Sequence, residues 1–128
     1  MAQYAVRKAT LTSNGSGVAS AQIDNIFGRL HEVIVVPAAG LSNAWDMYIT
    51  RIAGDVAETF YSNTSMNTVG QGNIYHYPRV QVVKTSAAAV TAASNENDLA
   101  VILGSVSITG ANMGDTQSAT VVLIVEVD

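Results

Sequence analysis

The chain has 128 residues, of which only 12% are charged, with a net charge of −4 and a pI near 4.9. That length suits one domain with one sizeable core, and its six scattered basic residues, only Arg7 and Lys8 adjacent, form no stripe for nucleic acid or a membrane surface. Cysteine is absent, which removes disulfides, zinc–thiolate sites and thiol catalysis.

In chain order, short apolar segments alternate with Gly, Asn, Ser and Asp. Residues 4–11 are the first strand candidate, and residues 1–11 together read as an extended N-terminal arm or an edge strand. The turn Asn14-Gly15-Ser16-Gly17 leads into strand candidates at 18–23 and 29–36. After a turn region at 37–43, Trp45, Met47 and Ile49 alternate with Asp46, Tyr48 and Thr50, which places Trp45 in the core. Ala53-Gly54-Asp55 is a turn before a strand at 56–61. Further strands are expected at 77–83 and 99–103, with 86–97 between them as a connecting loop holding at most one helical turn. In 104–109, Val106 and Ile108 alternate with Ser105, Ser107 and Thr109. A turn at 110–115 precedes the last strand, 119–127. These spacings predict an all-β fold: a single domain over 1–128, built as a two-sheet antiparallel sandwich, jelly-roll-like, of about eight short strands.

The last strand breaks the alternating pattern. Val121, Leu123 and Val125 share one face, yet Val122 and Ile124 occupy the other. Such a strand is covered on both sides, by the core and by something else, so Val122 and Ile124 are candidate interface residues. The positive mean hydropathy, +0.26, points the same way: some apolar surface is covered by another chain, as in a homo-oligomer. Tyr75-His76-Tyr77-Pro78 is the densest aromatic cluster, and Tyr75 and Tyr77 could anchor an interface or stack on sugars. Simple packing at the start of the 77–83 strand is the plainer reading of the cluster.

No catalytic set can be assembled. His31 and His76 are isolated, and Val35 stands where a zinc-protease helix would need its second histidine. Gly70-Gln71-Gly72 and Gly15-Ser16-Gly17 lack the lysine and β-α context of phosphate loops. Asn95-Glu96-Asn97-Asp98 concentrates oxygen ligands, but calcium loops alternate theirs, so a solvated loop is the plainer reading. The expectation is a non-enzymatic protein without cofactor or metal. Residues 1–10 lack the apolar stretch of a signal peptide, and the aliphatic run 121–125 is too short to span a bilayer.

From Gly28 onward the order of features resembles a known family. Arg29-Leu30-His31-Glu32-Val33-Ile34-Val35-Val36-Pro37 is a strand ending in a proline turn, followed by Trp45-Asp46-Met47-Tyr48-Ile49-Thr50, by Gly54-Asp55-Val56 and by an Asn-rich stretch, 62–73. Gly104-Ser105-Val106-Ser107-Ile108 and the strand 119–127 close the pattern. This is similar to the small β-sandwich head decoration or cement proteins of tailed bacteriophages. The resemblance implies a jelly-roll-like virion subunit, a homotrimer made in the bacterial cytoplasm and bound to the outer surface of the head, on the shell of the major capsid protein. It also implies that the N-terminal segment, Tyr4 included, reaches along the shell or to a neighbour. A tail, baseplate or fibre component, or a carbohydrate-binding module using Trp45 or the Tyr75–Tyr77 cluster, are the alternatives.

Overall fold

The computed structural model describes residues 3–41, 44–53, 56–67, 74–76, 79–81 and 97–127. Every regular element among them is a strand, so the fold is all-β. Six strands form one antiparallel sheet in the order β1 (Tyr4–Thr12), β8 (Ser118–Glu126), β2 (Ala19–Pro37), β7 (Asn97–Ala111), β3 (Ala44–Ala53) and β4 (Val56–Asn67). Two short strands lie off this path: β5 (Ile74–His76) pairs with β2, and β6 (Arg79–Gln81) with the start of β7.

The strands differ from the sequence expectation in length. The candidates at 18–23 and 29–36 are one strand, β2, and those at 99–103 and 104–109 are also one, β7. The two sequence candidates leave residues 24–28, with Asp24, Asn25 and Gly28, unassigned between them. The chain takes a bulge there: Ile23 pairs with Val106 and Ile26 with Gly104, so Asp24 and Asn25 stand opposite a single residue. Asn25 absorbs the extra residue at φ 59°, a left-handed conformation that asparagine tolerates better than most residues. The strand at 56–61 runs on to Asn67, and within 77–83 the described strand is 79–81. The loop expected at 86–97 lies outside the described residues except for Asn97, which begins β7.

Long strands explain why the hydrogen bonds draw one sheet. The first part of β2 pairs with β7, and its later part, from Arg29 to Pro37, pairs with β8. A second irregularity at His31, between the pairs Leu30–Val125 and Glu32–Ile124, bends the strand again. Gly28 sits at the junction. A Cβ there would collide with the Glu126 carbonyl oxygen and come within 2.8 Å of the Val125 Cγ1 atom, so only glycine lets β8 approach this closely.

Inward residues of all six strands form one core. Leu11, Ile23, Leu30, Val33, Val35, Trp45, Met47, Ile49, Met66, Ile102, Val106, Ile108, Val121, Leu123 and Val125 are buried in a single cluster. Burying each such aliphatic chain contributes about 1.5–3 kcal/mol relative to exposure. Trp45 is fully buried with Met47 and Ile49, in the phase their alternation predicts. Its indole N–H has no hydrogen-bond partner among the described residues, a cost of about 1–3 kcal/mol that the packing offsets.

One end of the core is closed by two stapled loops. Asn14 Oδ1 accepts hydrogen bonds from the backbone N–H of Ser16 and of Val18, at 2.9 and 3.1 Å, and Gly17 turns the chain at φ 79°. The Met113 N–H donates to the Gly17 carbonyl at 3.0 Å, and the Gln117 N–H donates to Ser13 Oγ at 2.8 Å. Held this way, the Met113 side chain is fully buried and lies with the Trp45 ring over Gly110.

Candidate interaction surface

The outward face of β8 carries Thr120, Val122 and Ile124, each half-buried, while Ala119, Val121, Leu123 and Val125 fill the core. Pleating sends alternate residues to opposite faces, and directly opposed residues on adjacent antiparallel strands share a face. The register therefore builds outward rows across three strands. Lys8, Val122 and Ile34 make one row; Val6, Ile124 and Glu32 make the next; Thr10, Thr120 and Val36 flank them on the other side. Val6 is 57% exposed, and Ile34 and Val36 are half-buried. The result is an aliphatic face with one lysine and one glutamate set into it.

Four of the five residues singled out from the sequence fall in or beside these rows. Val122 and Ile124 are the centre. Tyr4 opens β1 opposite Glu126 and is 52% exposed, with its ring 5.4 Å from that of His31 in an edge-on contact. Tyr75 takes the register position opposite Ile34, in line with Val122. Tyr77 lies outside the described residues. Of the two readings of residues 1–11, arm or edge strand, the chain from Tyr4 onward takes the second, paired along its length with β8 at one end of the strand order.

Sequence reasoning missed the most exposed aromatic residue among those whose side chains are described. Phe27 is 62% exposed, and its cross-strand partner Leu103 is 61% exposed. A signal existed. Ile26-Phe27 and Ile102-Leu103 are adjacent apolar pairs, and on a strand one member of each pair must face outward. Ile26 and Ile102 are buried, so Phe27 and Leu103 point out.

Two arginines secure backbone carbonyls where strands diverge. Arg7 on β1 donates to the Asp24 and Asn25 carbonyls, at 2.8 and 3.2 Å, across to the bulge of β2. Arg51 on β3 donates to the Val101 carbonyl at 3.0 Å and pairs with Glu58 at 2.6 Å. Asp24 itself accepts from Gln22 Nε2 at 2.7 Å and Ser105 Oγ at 2.8 Å. Those hydrogen bonds, with the positive charge of Arg7, hold its carboxyl below the usual carboxylate range.

Among the described residues no group of three or more His, Cys, Asp or Glu is placed to hold a metal ion. In the Asn95–Asp98 run, Asn95 and Glu96 lie outside the described residues. A shallow surface dent lined by Val36, Pro37, Ala38, Ser118, Ala119 and Thr120 has a volume of about 160 Å³, below the range of small-molecule sites. Trp45, a sugar-stacking candidate, is fully buried. No described helix is long and apolar enough to cross a membrane.

No protein-family model matches the chain, and no curated protein matches it. Among solved structures, it is similar to PliG of Aeromonas hydrophila, a periplasmic inhibitor of g-type lysozyme, with 16% identity over 96% of this chain and 87% of that one, at a TM-score of 0.39. It is also similar to FlhE, with 8% identity over 95% and 96% of the two chains and a TM-score of 0.37. A chain of the nora virus structure shares 12% identity over 98% of this chain and 55% of its own length, at 0.38. Agreement this low assigns neither a family nor a function.

Proposed function

We propose that this chain is a non-enzymatic structural protein of a tailed-phage virion, one that seats on the outer surface of the head and cements the shell of the major capsid protein. The observation that carries the reading is the aliphatic face of β1, β8 and β2 around Val122 and Ile124, which gives an extended contact strip. The order of sequence features from Gly28 onward, similar to head decoration proteins, supplies the location. A cement protein works through many weak contacts repeated by symmetry, and avidity turns these into firm retention. The protein is made in the bacterial cytoplasm and self-associates, as a trimer if it follows the proteins it resembles.

In this reading the sheet doubles over as a jelly-roll-like sandwich whose two halves are joined through β2 and β7. Support comes from the single core drawn from all six strands, and from Arg7, which reaches from β1 to the carbonyls of a β2 segment paired with β7.

Immunogold electron microscopy of virions, with antibody to the native protein, tests the assignment. Regular label over heads is the expected result, together with shells that lose thermal stability when stripped of the protein. Label confined to tails moves the protein to the tail or baseplate. Particles without label overturn the virion assignment.

A further inference from the structure

The ribbon of β2 and β7 carries a second outward cluster, separate from the face around Val122. Its centre is the cross-strand pair Phe27–Leu103, and Val101 lies exposed beside it, opposite Arg29. The bulge sets what surrounds this centre. Because Asp24 and Asn25 together stand opposite Ser105, the Asp24 carboxylate falls in the Ser105 row, where the Ser105 hydroxyl donates to it at 2.8 Å. Three outward rows follow one another along the ribbon: Asp24 with Ser105, Phe27 with Leu103, Arg29 with Val101. Each is two ladder positions from the next, about 7 Å. An acid and a base on the same strand thus stand at equal distances on either side of an apolar centre.

We propose that this ribbon face is a two-fold contact between two copies of this chain, with Phe27 and Leu103 of each copy stacked on those of the other and Arg29 of each facing Asp24 of the other. The axis lies in the contact plane, along the Phe27–Leu103 row. Rotation about it reverses the strand direction and keeps the strand identity, so the acid row of one copy meets the base row of the other twice. An axis along the strands would set Arg29 against Val101 and Asp24 against Ser105, leaving both charges unmatched. Arg29 is free to take the role: it is exposed, and it makes no ion pair among the described residues, although Glu126 stands opposite it on β8. Asymmetric partners have no need of charges balanced about an apolar centre, whereas an isologous contact requires self-complementarity. Three rows make a contact at the small end of the range, so a Kd of about micromolar or weaker is expected.

Sedimentation velocity of the isolated protein across a wide concentration range tests this without any shell, so its failure leaves the head assignment standing. The wild type should associate reversibly into even-numbered species: a dimer, or paired trimers if the trimer forms through another face. Arg29→Glu and Asp24→Lys should each weaken association by about tenfold or more, since each sets like charges together twice. An equimolar mixture of these two variants should associate again, because both cross-pairs are then opposite in sign. Asp24→Lys loses two internal hydrogen bonds; if circular dichroism shows it unfolded, Phe27→Ser, at an exposed position, decides in its place and should also dissociate the pair. A wild type that stays monomeric, association that survives Phe27→Ser, or two folded charge variants that remain apart when mixed would overturn the proposal.

Discussion

The two halves of the sheet share an apolar inside and differ in how much of the outside is aliphatic. The buried inward positions are apolar in both, with Ile, Val, Met and Trp45 in one half and Val and Leu in the other. On the outer face of the half built from the start of β2, β7, β3 and β4, apolar residues gather at Phe27, Leu103 and Val101, and beyond that cluster stand Ser20, Gln22, Ser107, Thr109, Tyr48, Thr50 and Thr59, joined in places by hydroxyl contacts such as Thr50–Thr59 at 2.7 Å. On the outer face of the half built from β1, β8 and the end of β2, Val6, Val122, Ile124, Ile34 and Val36 predominate, with Lys8, Thr10, Thr120 and Glu32 among them. Folding asks for apolar residues only on the inward face, and the stretch of the first half beyond the Phe27–Leu103 pair shows that a polar outside is sufficient. The aliphatic rows of the second half are thus surplus to the folding of one chain, which fits the contact proposed for them.

Substitution of neighbours on β8 separates the two requirements, and it carries the largest expected effect. Leu123→Ala removes a fully buried side chain and should cost about 2–5 kcal/mol of stability. Val122→Thr, one residue away on the outer face, should change the stability of the isolated chain by within about 0.5 kcal/mol while weakening attachment to shells. Urea unfolding checks the first clause of each, and occupancy on stripped and reconstituted heads checks the second. If Val122→Thr costs as much as Leu123→Ala, the outer face is core by another name and the contrast between the halves fails.

Gly28→Ala probes the joint between the halves. The added methyl meets the Glu126 carbonyl and the Val125 side chain, so β8 must move away from β2. A loss of about 1–3 kcal/mol is expected. Backbone amide exchange should rise in β8 and at the end of β2 and stay near wild type in β3 and β4, since the clash lies on one side of the joint. A uniform rise across all strands would mean that the two halves open as one unit.

Local alternation made most of this legible. Residues 104–109 and 45–50 read correctly as strands with Val106, Ile108, Trp45, Met47 and Ile49 inside, because period-two patterning is a local property. Strand continuity was not legible. Asp24, Asn25 and Gly28 carry turn chemistry, and only the tertiary setting decides that they make a bulge and a close approach. The surface was half legible for the same reason. Val122 and Ile124 stood out as apolar residues at polar positions in a clear pattern. Phe27 did not, because residues 24–28 lie between two strand candidates and so have no assigned face. That Tyr4, Val122, Ile124 and the Tyr75 position fall on neighbouring strands is a matter of strand order, which a single sequence does not carry.

The smallest expected effect concerns the bulge on the polar side, and it turns on the sign of one titration. Asp24 is exposed, yet Gln22 and Ser105 both donate to its carboxylate, and Arg7 adds a positive charge nearby. Its folded-state pKa is therefore depressed below the unfolded one, and folding favours the ionised form. The stabilisation is present in full above the unfolded-state value and is lost as pH falls through the folded-state value, so it fades in the acid region alone. Asp24→Asn keeps an acceptor for Gln22 and Ser105 but cannot titrate. The melting temperature of the wild type should exceed that of Asp24→Asn at neutral pH, and the gap should close on acidification. Because the group is exposed, the gap is small and should shrink further in high salt. A gap constant down to the lowest pH would mean that the bulge is held by Arg7 on the backbone carbonyls and by Asn25 in its left-handed conformation, with the carboxylate only a bystander. In that case the acid row would still face Arg29 of a second copy, but nothing within the chain would fix its position before the copies meet.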